Sequence, residues 1–268
     1  MEFSRENVTF KCNGGAEMLA YVASPASEGK CPAIIVVHEA WGLNQQIRCV
    51  AERYAAEGFV AVAPHLFSRE KDLTEQDIEK GMMRMWQIPP EKRNDPAAVQ
   101  AVMASLSEKD RKAVNFFFGG RDAMEKTMAD DLLQCVGYAK SLEKVDGQRL
   151  GITGFCLGGG LTYQLATMYP FKAAVPFYGA CPKPLETVAK INCPIFGIYA
   201  GEDTRITSGV PALVESMITH KKTFQLKIYQ GTQHAFFNEN RPVYNKEAAE
   251  DAWAMTIAFF NRYLKASK

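Results

Sequence analysis

The sequence contains no long hydrophobic run. Its longest apolar stretches, AIIVV at 33–37 and FVAVA at 59–63, are far shorter than the about 20 apolar residues that a helix needs to cross a bilayer. The first residues, MEFSRENVTFKCNGG, lack the basic segment and following apolar segment that form an export signal. We therefore expect no membrane association and a cytoplasmic location.

An excess of charge of either sign is also missing. The chain has 31 Lys and Arg residues against 30 Asp and Glu residues, for a formal net charge of +1. This balance gives no electrostatic argument for nucleic acid as a partner. The 47% of hydrophobic residues is typical of a globular protein, and 268 residues are enough to bury a sizeable core.

Close cysteine pairs and metal-binding histidine spacings are absent as well. The seven cysteines form no CxxC pair, and their odd number fits a reducing compartment better than a disulfide framework. None of the four histidines lies in HExxH or another close metal-ligand spacing. We expect no metal site and no cofactor, and the sequence carries no signal for an oligomeric state.

Short apolar runs rich in β-forming residues alternate with helical periodicity along most of the chain. The predicted strands are 8–12, 18–23, 33–38, 59–64, 150–155, 173–178, 195–200 and 224–229. The first two flank Asn13-Gly14-Gly15, a hairpin turn signal, and the later runs are typical of parallel strands that helices cover on both faces. Helical stripes separate them, one of them after Asn44, a residue type that caps helices. The pattern predicts a single α/β domain over 1–268, a three-layer α/β/α sandwich with ligands at the carboxyl ends of its strands.

Residues 88–128 interrupt this alternation with a helical insertion. Asp95-Pro96 has the pattern of a cap and first residue of one helix, and Ser107 has that of a cap of another. A third helix, with Met124 and Met128 on one face, is predicted to continue to Leu142. The insertion is either a cap or lid over a site, or a segment packed on the edge of the sheet with no role in one.

One predicted strand ends in a glycine-rich stretch that contains a cysteine. Gly154-Phe155-Cys156-Leu157-Gly158 has the G-x-C-x-G spacing of a nucleophile elbow, with cysteine where serine is common. An elbow is a sharp strand-to-helix turn, and its glycines leave room for the crowded neighbouring chain. The helix N-terminus also favours a thiolate, because the helix dipole stabilises negative charge. We interpret Cys156 as a nucleophile rather than as one more buried thiol.

A nucleophile of this kind needs a base and an acid, which follow it in the chain order nucleophile, acid, histidine. Of the two histidines after Cys156, His220 ends a predicted helix, whereas His234 lies in a loop after a predicted strand. Asp203 follows another predicted strand, and its neighbour Glu202 is an alternative acid. We predict that Cys156, Asp203 and His234 form a triad, with a helix-capping role as the alternative for Asp203.

The segments around these residues resemble the dienelactone hydrolase family. The matching segments are VVHEAWGLN (36–44), AVAPHLFSR (61–69), GFCLGGG (154–160), AGEDTRI (200–206) and GTQHAFF (231–237). They span nearly the whole chain outside the insertion, and a cysteine elbow with paired glycines after Leu157 is fairly specific to this family. The resemblance implies the α/β-hydrolase fold, with a mostly parallel sheet, an amino-terminal hairpin and a helical insertion.

The resemblance also implies roles for individual residues. It assigns the catalytic roles to Cys156, Asp203 and His234. It implies an oxyanion hole that is formed by the backbone N–H groups of Leu157 and Ala40. The geometry of an elbow gives Leu157 the same role, because the amide after the nucleophile points at the developing charge.

Glu39 matches a glutamate of the family that interacts with the resting nucleophile and moves when the substrate binds. A carboxylate beside a thiol disfavours the thiolate, so this residue would keep Cys156 poorly reactive until the substrate arrives. Its alternative role is to cap the loop that leads to the helix after Asn44.

The chain departs from the family where two arginines hold a substrate carboxylate. The arginine four positions after the histidine is replaced by Asn238, and the one that precedes a Leu-Trp-Gln, matched here by residues 85–87, is replaced by Glu79. The insertion begins directly after this segment, so the acyl pocket is expected to be remodelled, which argues against dienelactone itself as the substrate. Arginines nearby in the sequence that could replace the missing pair are Arg84, Arg205 and Arg241. The predicted substrate-binding residues are Arg84, Trp86 and Arg205.

The sequence therefore predicts a hydrolase that cleaves an ester or lactone of a small molecule through an acyl-thioester on Cys156. A second hypothesis is a catalytically silent protein of the same fold that binds a small ligand or a partner, because the arginines are missing and the insertion is present. A third is a redox-active thiol, for which the elbow motif offers no second cysteine.

Overall fold

The computed structural model describes residues 2–89, 92, 95–118 and 121–265. Its strands are β1 (Phe3–Lys11), β2 (Glu17–Pro25), β3 (Cys31–Val37), β4 (Val60–Pro64), β5 (Val145–Phe155), β6 (Ala173–Phe177), β7 (Ile195–Ala200) and β8 (Phe224–Tyr229). Its α-helices are α1 (Gln45–Ala56), α2 (Glu75–Trp86), α3 (Pro96–Ser105), α4 (Glu108–Phe118), α5 (Arg121–Ser141), α6 (Leu157–Met168), α7 (Thr204–Thr207), α8 (Val210–Thr219) and α9 (Lys246–Phe260). Short 3-10 helices span Asn13–Gly15 and Leu185–Lys190, and a π-helical turn spans Asn261–Lys265.

The strands form one sheet in the order β1-β2-β4-β3-β5-β6-β7-β8. β1 and β2 are an antiparallel hairpin around the Asn13–Gly15 turn, and β2 also pairs antiparallel with β4. The pairs from β4 to β8 are all parallel. The predicted α/β class, with a mostly parallel sheet and an amino-terminal hairpin, is confirmed.

Helices cover both faces of the sheet. Along β3, Ile34 and Val36 face a core that includes α1 and α9, whereas Ala33, Ile35 and Val37 face a core that includes α5, α6 and α8. Because successive side chains of a strand point to opposite faces, a fully apolar strand supplies both cores at once. This explains why β3 is buried along its whole length.

The predicted helix caps are present in the structure. Asn44, Asp95 and Ser107 each accept a hydrogen bond from a backbone N–H in the first turn of the following helix. Helix α2 was not predicted, although its start has a capping box in which Thr74 and Asp77 bond each other's backbone N–H groups.

Helices α3 and α4 lie within the predicted insertion and pack with the end of α2. Met85, Ile88, Leu106 and Val114 form a small buried cluster of their own, separate from the two large cores. Among the residues that the structure describes, no helix is both long and apolar enough to cross a bilayer.

The chain creates a crevice at the carboxyl ends of β3 and β5, which are neighbours in the sheet. After β3 it continues to α1 on one face, and after β5 it continues to α6 on the opposite face. Two neighbouring parallel strands whose connections leave to opposite faces open a crevice where α/β proteins bind ligands. His38 to Ala40 follow β3, and Cys156 follows β5, so these residues meet at this crevice.

Candidate active site

Cys156 occupies the sharp turn between β5 and α6. Its backbone has φ 55° and ψ −111°, a conformation that residues with a side chain rarely adopt. Its N–H donates a hydrogen bond to the carbonyl of Phe177 on β6, at 3.0 Å. A strained backbone that neighbouring structure holds in place is typical of a functional site.

The glycines on either side of the cysteine are required by close backbone contacts. A Cβ atom on Gly154 would lie 2.2 Å from the carbonyl oxygen of Gly158. A Cβ atom on Gly158 would lie 2.4 Å from the carbonyl oxygen of Val37, at the end of β3. The turn can therefore form only with glycine at these positions, as the spacing of the motif predicts.

His234 and Asp203 come to the same place from loops that follow β8 and β7. The Asp203 carboxylate is buried and accepts a short hydrogen bond from Nδ1 of His234. The other ring nitrogen, Nε2, is buried and has no hydrogen-bond partner within the described part of the chain. Cys156 lies close enough to this ring to raise the pKa of His234. The structure thus brings together all three residues of the predicted triad.

The charge of His234 is governed by its two neighbours. Burial lowers its pKa, but the negative charge of the Cys156 sulfur and the hydrogen bond to Asp203 together raise it, and the net pKa is above the usual value. The imidazolium form of His234 is therefore favoured at neutral pH. Asp203 is the acid in this arrangement, whereas Glu202 is exposed.

Glu39 is buried beside these residues and is held by two donors. Tyr178 donates its hydroxyl hydrogen to Oε1 at 3.0 Å, and Asn238 donates from its amide to Oε2 at 2.5 Å. Burial raises the pKa of Glu39, while these two hydrogen bonds act to lower it. Asn238, for which the resemblance implies an arginine in the family, thus contacts Glu39 as a neutral donor. The hydrogen bond from Tyr178 to Glu39 was not predicted from the sequence.

A cavity of about 230 Å³ opens over the sulfur. Its lining includes Cys156, His234, Glu39, Ala40, Arg205 and Arg241. Carboxylate, imidazole, thiol and guanidinium groups thus converge on one space, as expected of a site for a small molecule.

The predicted substrate-binding residues have different positions. Arg205, on α7, lines the cavity. Arg84 is exposed on α2 and is not among the described residues that line it. The side chain of Trp86 lies outside the described part of the chain.

Arg241 lines the cavity and is held by two contacts. Its guanidinium lies 3.8 Å above the ring of Trp41, and its Nη2 is 3.0 Å from Oε1 of Glu79 on α2. The resemblance implies that the second arginine of the family corresponds to Glu79, and the ion pair places the positive charge of Arg241 near that position from another part of the chain. Their separation of 162 residues explains why the sequence alone did not select Arg241 over its neighbours.

The two backbone N–H groups predicted for the oxyanion hole belong to Leu157 and Ala40. Leu157 is the first residue of α6, whose first N–H groups have no partner within the helix, and Ala40 follows β3 and lines the cavity. Neither N–H donates a hydrogen bond to another described residue. Within the same residues, no three His, Cys, Asp or Glu side chains are grouped as metal ligands.

Comparison with known proteins identifies relatives of this chain in sequence and in structure. The Dienelactone hydrolase family matches residues 18–264. The chain is 44% identical to a Saccharolobus solfataricus protein described as "Putative carboxymethylenebutenolidase", over 97% of this chain and 100% of that protein. A crystal structure described as "Putative Dienelactone Hydrolase" from Klebsiella pneumoniae superposes with a TM-score of 0.76 at 25% identity, over 98% of this chain and 100% of the other.

The chain therefore belongs to the dienelactone hydrolase family, a group of hydrolases with the α/β-hydrolase fold. The family and the fold that the sequence motifs predict are both confirmed.

Proposed function

We propose that this protein is a cysteine hydrolase that cleaves an ester or lactone of a small molecule through an acyl-thioester on Cys156. The observation that supports this most directly is the position of the sulfur, at a strained elbow under an open cavity, beside an imidazole that a buried carboxylate orients. The carboxymethylenebutenolidase named among the relatives cleaves a bond of the same class.

In the proposed first half-reaction, the Cys156 thiolate attacks the carbonyl carbon of the substrate. The electron pair of the C=O bond moves to the oxygen, which the N–H groups of Leu157 and Ala40 stabilise. The tetrahedral intermediate collapses, the carbon–oxygen bond to the leaving group breaks, and the His234 imidazolium gives its proton to the departing alkoxide. The products are a thioester on Cys156 and an alcohol, which is released from an ester but stays attached to the acyl chain of a lactone.

In the second half-reaction, His234 is neutral and accepts a proton from water while the water oxygen attacks the thioester carbon. Collapse of the second intermediate breaks the carbon–sulfur bond and releases the acid. The thiolate and the imidazolium are thereby restored. Asp203 holds the ring in one orientation throughout and stabilises its positive charge.

Glu39 has a supporting role in this proposal. Tyr178 and Asn238 occupy both of its carboxylate oxygens, so the group is held by hydrogen bonds beside the sulfur rather than directed at it. A carboxylate that turned toward Cys156 would disfavour the thiolate. We propose that the two donors keep the carboxylate turned away from Cys156, so that the resting nucleophile is reactive, in contrast to the inhibitory contact that the family resemblance implies for Glu39.

The substrate is proposed to contact Arg205, which extends a positive charge over the cavity. The charge of Arg241 is balanced by Glu79, so Arg205 is the better candidate to attract an anionic group on the substrate. Changing Arg205 to Gln should raise KM for an ester that carries a carboxylate and leave KM for the neutral ester of the same alcohol unchanged. Arg84→Gln is the matched control, because that exposed arginine lies away from the cavity.

We further propose that residues 1–268 form one domain and that 88–128 are a cap beside the cavity. The ion pair between Arg241 of the cavity wall and Glu79 of α2 supports this, because α2 packs against α4 of the insertion. The cytoplasmic location remains a prediction, which the seven free cysteines support.

The function is tested with p-nitrophenyl esters and small lactones. Wild-type protein should hydrolyse them, and Cys156→Ala and His234→Ala should each abolish turnover. An acyl adduct on the peptide that contains Cys156, trapped by rapid acid quench and found by mass spectrometry, should be present in the wild type and absent from Cys156→Ala. Unchanged turnover in either variant would contradict the assignment, and ligand binding without turnover would favour the catalytically silent alternative.

A further inference from the structure

His38 is the first residue after β3 and is fully buried, with both ring nitrogens in hydrogen bonds. Nε2 lies 3.0 Å from the N–H of Leu66, and Nδ1 lies 2.5 Å from the carbonyl oxygen of Glu39. A backbone N–H can only donate, so Nε2 is the acceptor and carries no hydrogen. The ring hydrogen is therefore on Nδ1 and is donated to the Glu39 carbonyl.

The tautomer is fixed over the whole working pH range. Burial, followed by the nearby His65, lowers the pKa of His38 to about 3, so the ring stays neutral. The ring of Phe67 lies edge-on at 4.8 Å and closes the space around the imidazole. A neutral, enclosed ring with both nitrogens bonded has no means to exchange protons with a substrate.

The hydrogen bond from Nδ1 of His38 orients the peptide bond between Glu39 and Ala40. The carbonyl of Glu39 and the N–H of Ala40 belong to the same planar trans peptide, so they point in opposite directions. The donor on His38 draws the carbonyl toward the buried ring, and the N–H of Gly42 donates to the same oxygen at 3.3 Å. The Ala40 N–H therefore points away from the buried ring, and Ala40 lines the cavity together with Cys156.

We propose that His38 is a positioning residue that aims the N–H of Ala40 at the substrate oxygen. This inference rests on the proposed function, since it assigns that N–H to the oxyanion hole. A dipole that is oriented before the reaction stabilises the transition state without reorganisation, and one such donor contributes about 10²–10³ in kcat.

The same strand end also fixes the second donor. A Cβ atom on Gly158 would lie 2.4 Å from the carbonyl oxygen of Val37 and 2.6 Å from that of His38, so the first turn of α6 packs closely on the residues that precede Glu39. The hydrogen bond to Leu66 ties the ring to the loop after β4. His38 thus connects two strand ends and the elbow, which sets the distance between the N–H groups of Leu157 and Ala40.

The test compares three variants that keep different parts of the ring. In His38→Asn the amide nitrogen replaces Nδ1 and can still donate to the Glu39 carbonyl. In His38→Gln the amide reaches the place of Nε2, so it can accept from Leu66 but cannot donate to that carbonyl. His38→Leu keeps neither hydrogen bond.

Two reactions of the same thiol serve as readouts. Hydrolysis of p-nitrophenyl acetate develops an oxyanion, whereas alkylation of Cys156 by iodoacetamide displaces iodide from a saturated carbon and develops none. The alkylation rate is measured by mass spectrometry on the peptide that contains Cys156, because Cys49 is exposed and reacts as well.

We expect His38→Leu and His38→Gln to lose about 10²–10³ in kcat for the ester, with His38→Asn retaining most of the activity. All three should alkylate Cys156 at the wild-type rate. The Asn and Gln variants decide the question even if the Leu variant does not fold. Equal ester activity in Asn and Gln, or a parallel loss of both reactions, would overturn the proposal. Ester turnover that persists in Cys156→Ala would instead refute the proposed function.

Discussion

Replacing Tyr178 by Phe removes one hydroxyl group that donates to a buried carboxylate. The ring is buried, and the hydroxyl oxygen lies 3.0 Å from Oε1 of Glu39. Phe keeps the packing of the ring and leaves that oxygen without its donor. Hydrogen bonds to charged groups contribute about 1.5–3 kcal/mol, so we expect the free energy of unfolding at neutral pH to fall by that amount. For a chain of this size each kcal/mol lowers Tm by about 2–4 °C.

The loss of stability in Tyr178→Phe should be largest at neutral pH and should shrink in acid. Burial raises the pKa of Glu39, and the Tyr178 hydrogen bond is one of the contacts that lower it. Without this contact the pKa of Glu39 rises further in the folded variant, which then binds more protons than the folded wild type. The destabilisation is therefore complete above the pKa of Glu39 in the folded variant. It disappears below the pKa of Glu39 in the folded wild type, which burial places above the usual value, because the unfolded chains bind protons alike and cancel in the comparison.

Tyr54→Phe is the matched control. Tyr54 is also fully buried, but its hydroxyl has no hydrogen-bond partner in the described part of the chain. Removing an unpaired buried hydroxyl should leave the protein equally or more stable, with no dependence on pH. Urea unfolding between about pH 5 and pH 8 measures both variants. Equal stability of the two variants, or a loss in Tyr178→Phe that does not shrink in acid, would refute the reasoning.

Two further predictions concern the elbow and the triad. Gly158→Ala should lower Tm and abolish ester hydrolysis, because its Cβ would lie 2.4 Å from a strand carbonyl, whereas Gly160→Ala, with its nearest neighbour at 3.7 Å, should be tolerated in both assays. Asp203→Asn removes a carboxylate that raises the pKa of His234, so this pKa should fall when it is followed by NMR titration. Glu202→Gln should leave the titration unchanged, and a fall there instead would identify Glu202 as the acid.

The strands could be predicted from the sequence because burial on both faces produces uninterrupted apolar runs. The predicted strand boundaries were wrong where a strand extends beyond the buried centre of the sheet. β5 begins at Val145 rather than at residue 150, because residues 146–149 are polar or lack a side chain and are exposed in part. β1 begins at Phe3, since an edge strand with mostly exposed side chains has no apolar signal to mark its start.

The triad candidates could be selected because the chemistry fixes their order along the chain and each follows a strand. The groups that surround the triad could not be selected from the sequence. Tyr178 and Glu39 are 139 residues apart, and Arg241 and Glu79 are 162 residues apart. Such pairs form only when strands from distant parts of the sequence become neighbours in the sheet, and no local spacing records them.

The two departures from the family are connected by the charges around the cavity. At 238 the resemblance implies the exchange of an arginine for a neutral donor, and Asn238 donates a hydrogen bond to Glu39. At 79 it implies the exchange of an arginine for a carboxylate, and Glu79 forms an ion pair that connects Arg241 of the cavity wall to α2. Both exchanges remove positive charge that a substrate carboxylate would need, while the elbow, the imidazole and the two N–H groups are unaffected. Because the groups that perform the chemistry and those that select the substrate are different side chains, the second set can change while the first is kept. The retained chemistry therefore predicts cleavage of an activated ester or lactone, and the altered charges predict that its preferred substrate differs from dienelactone.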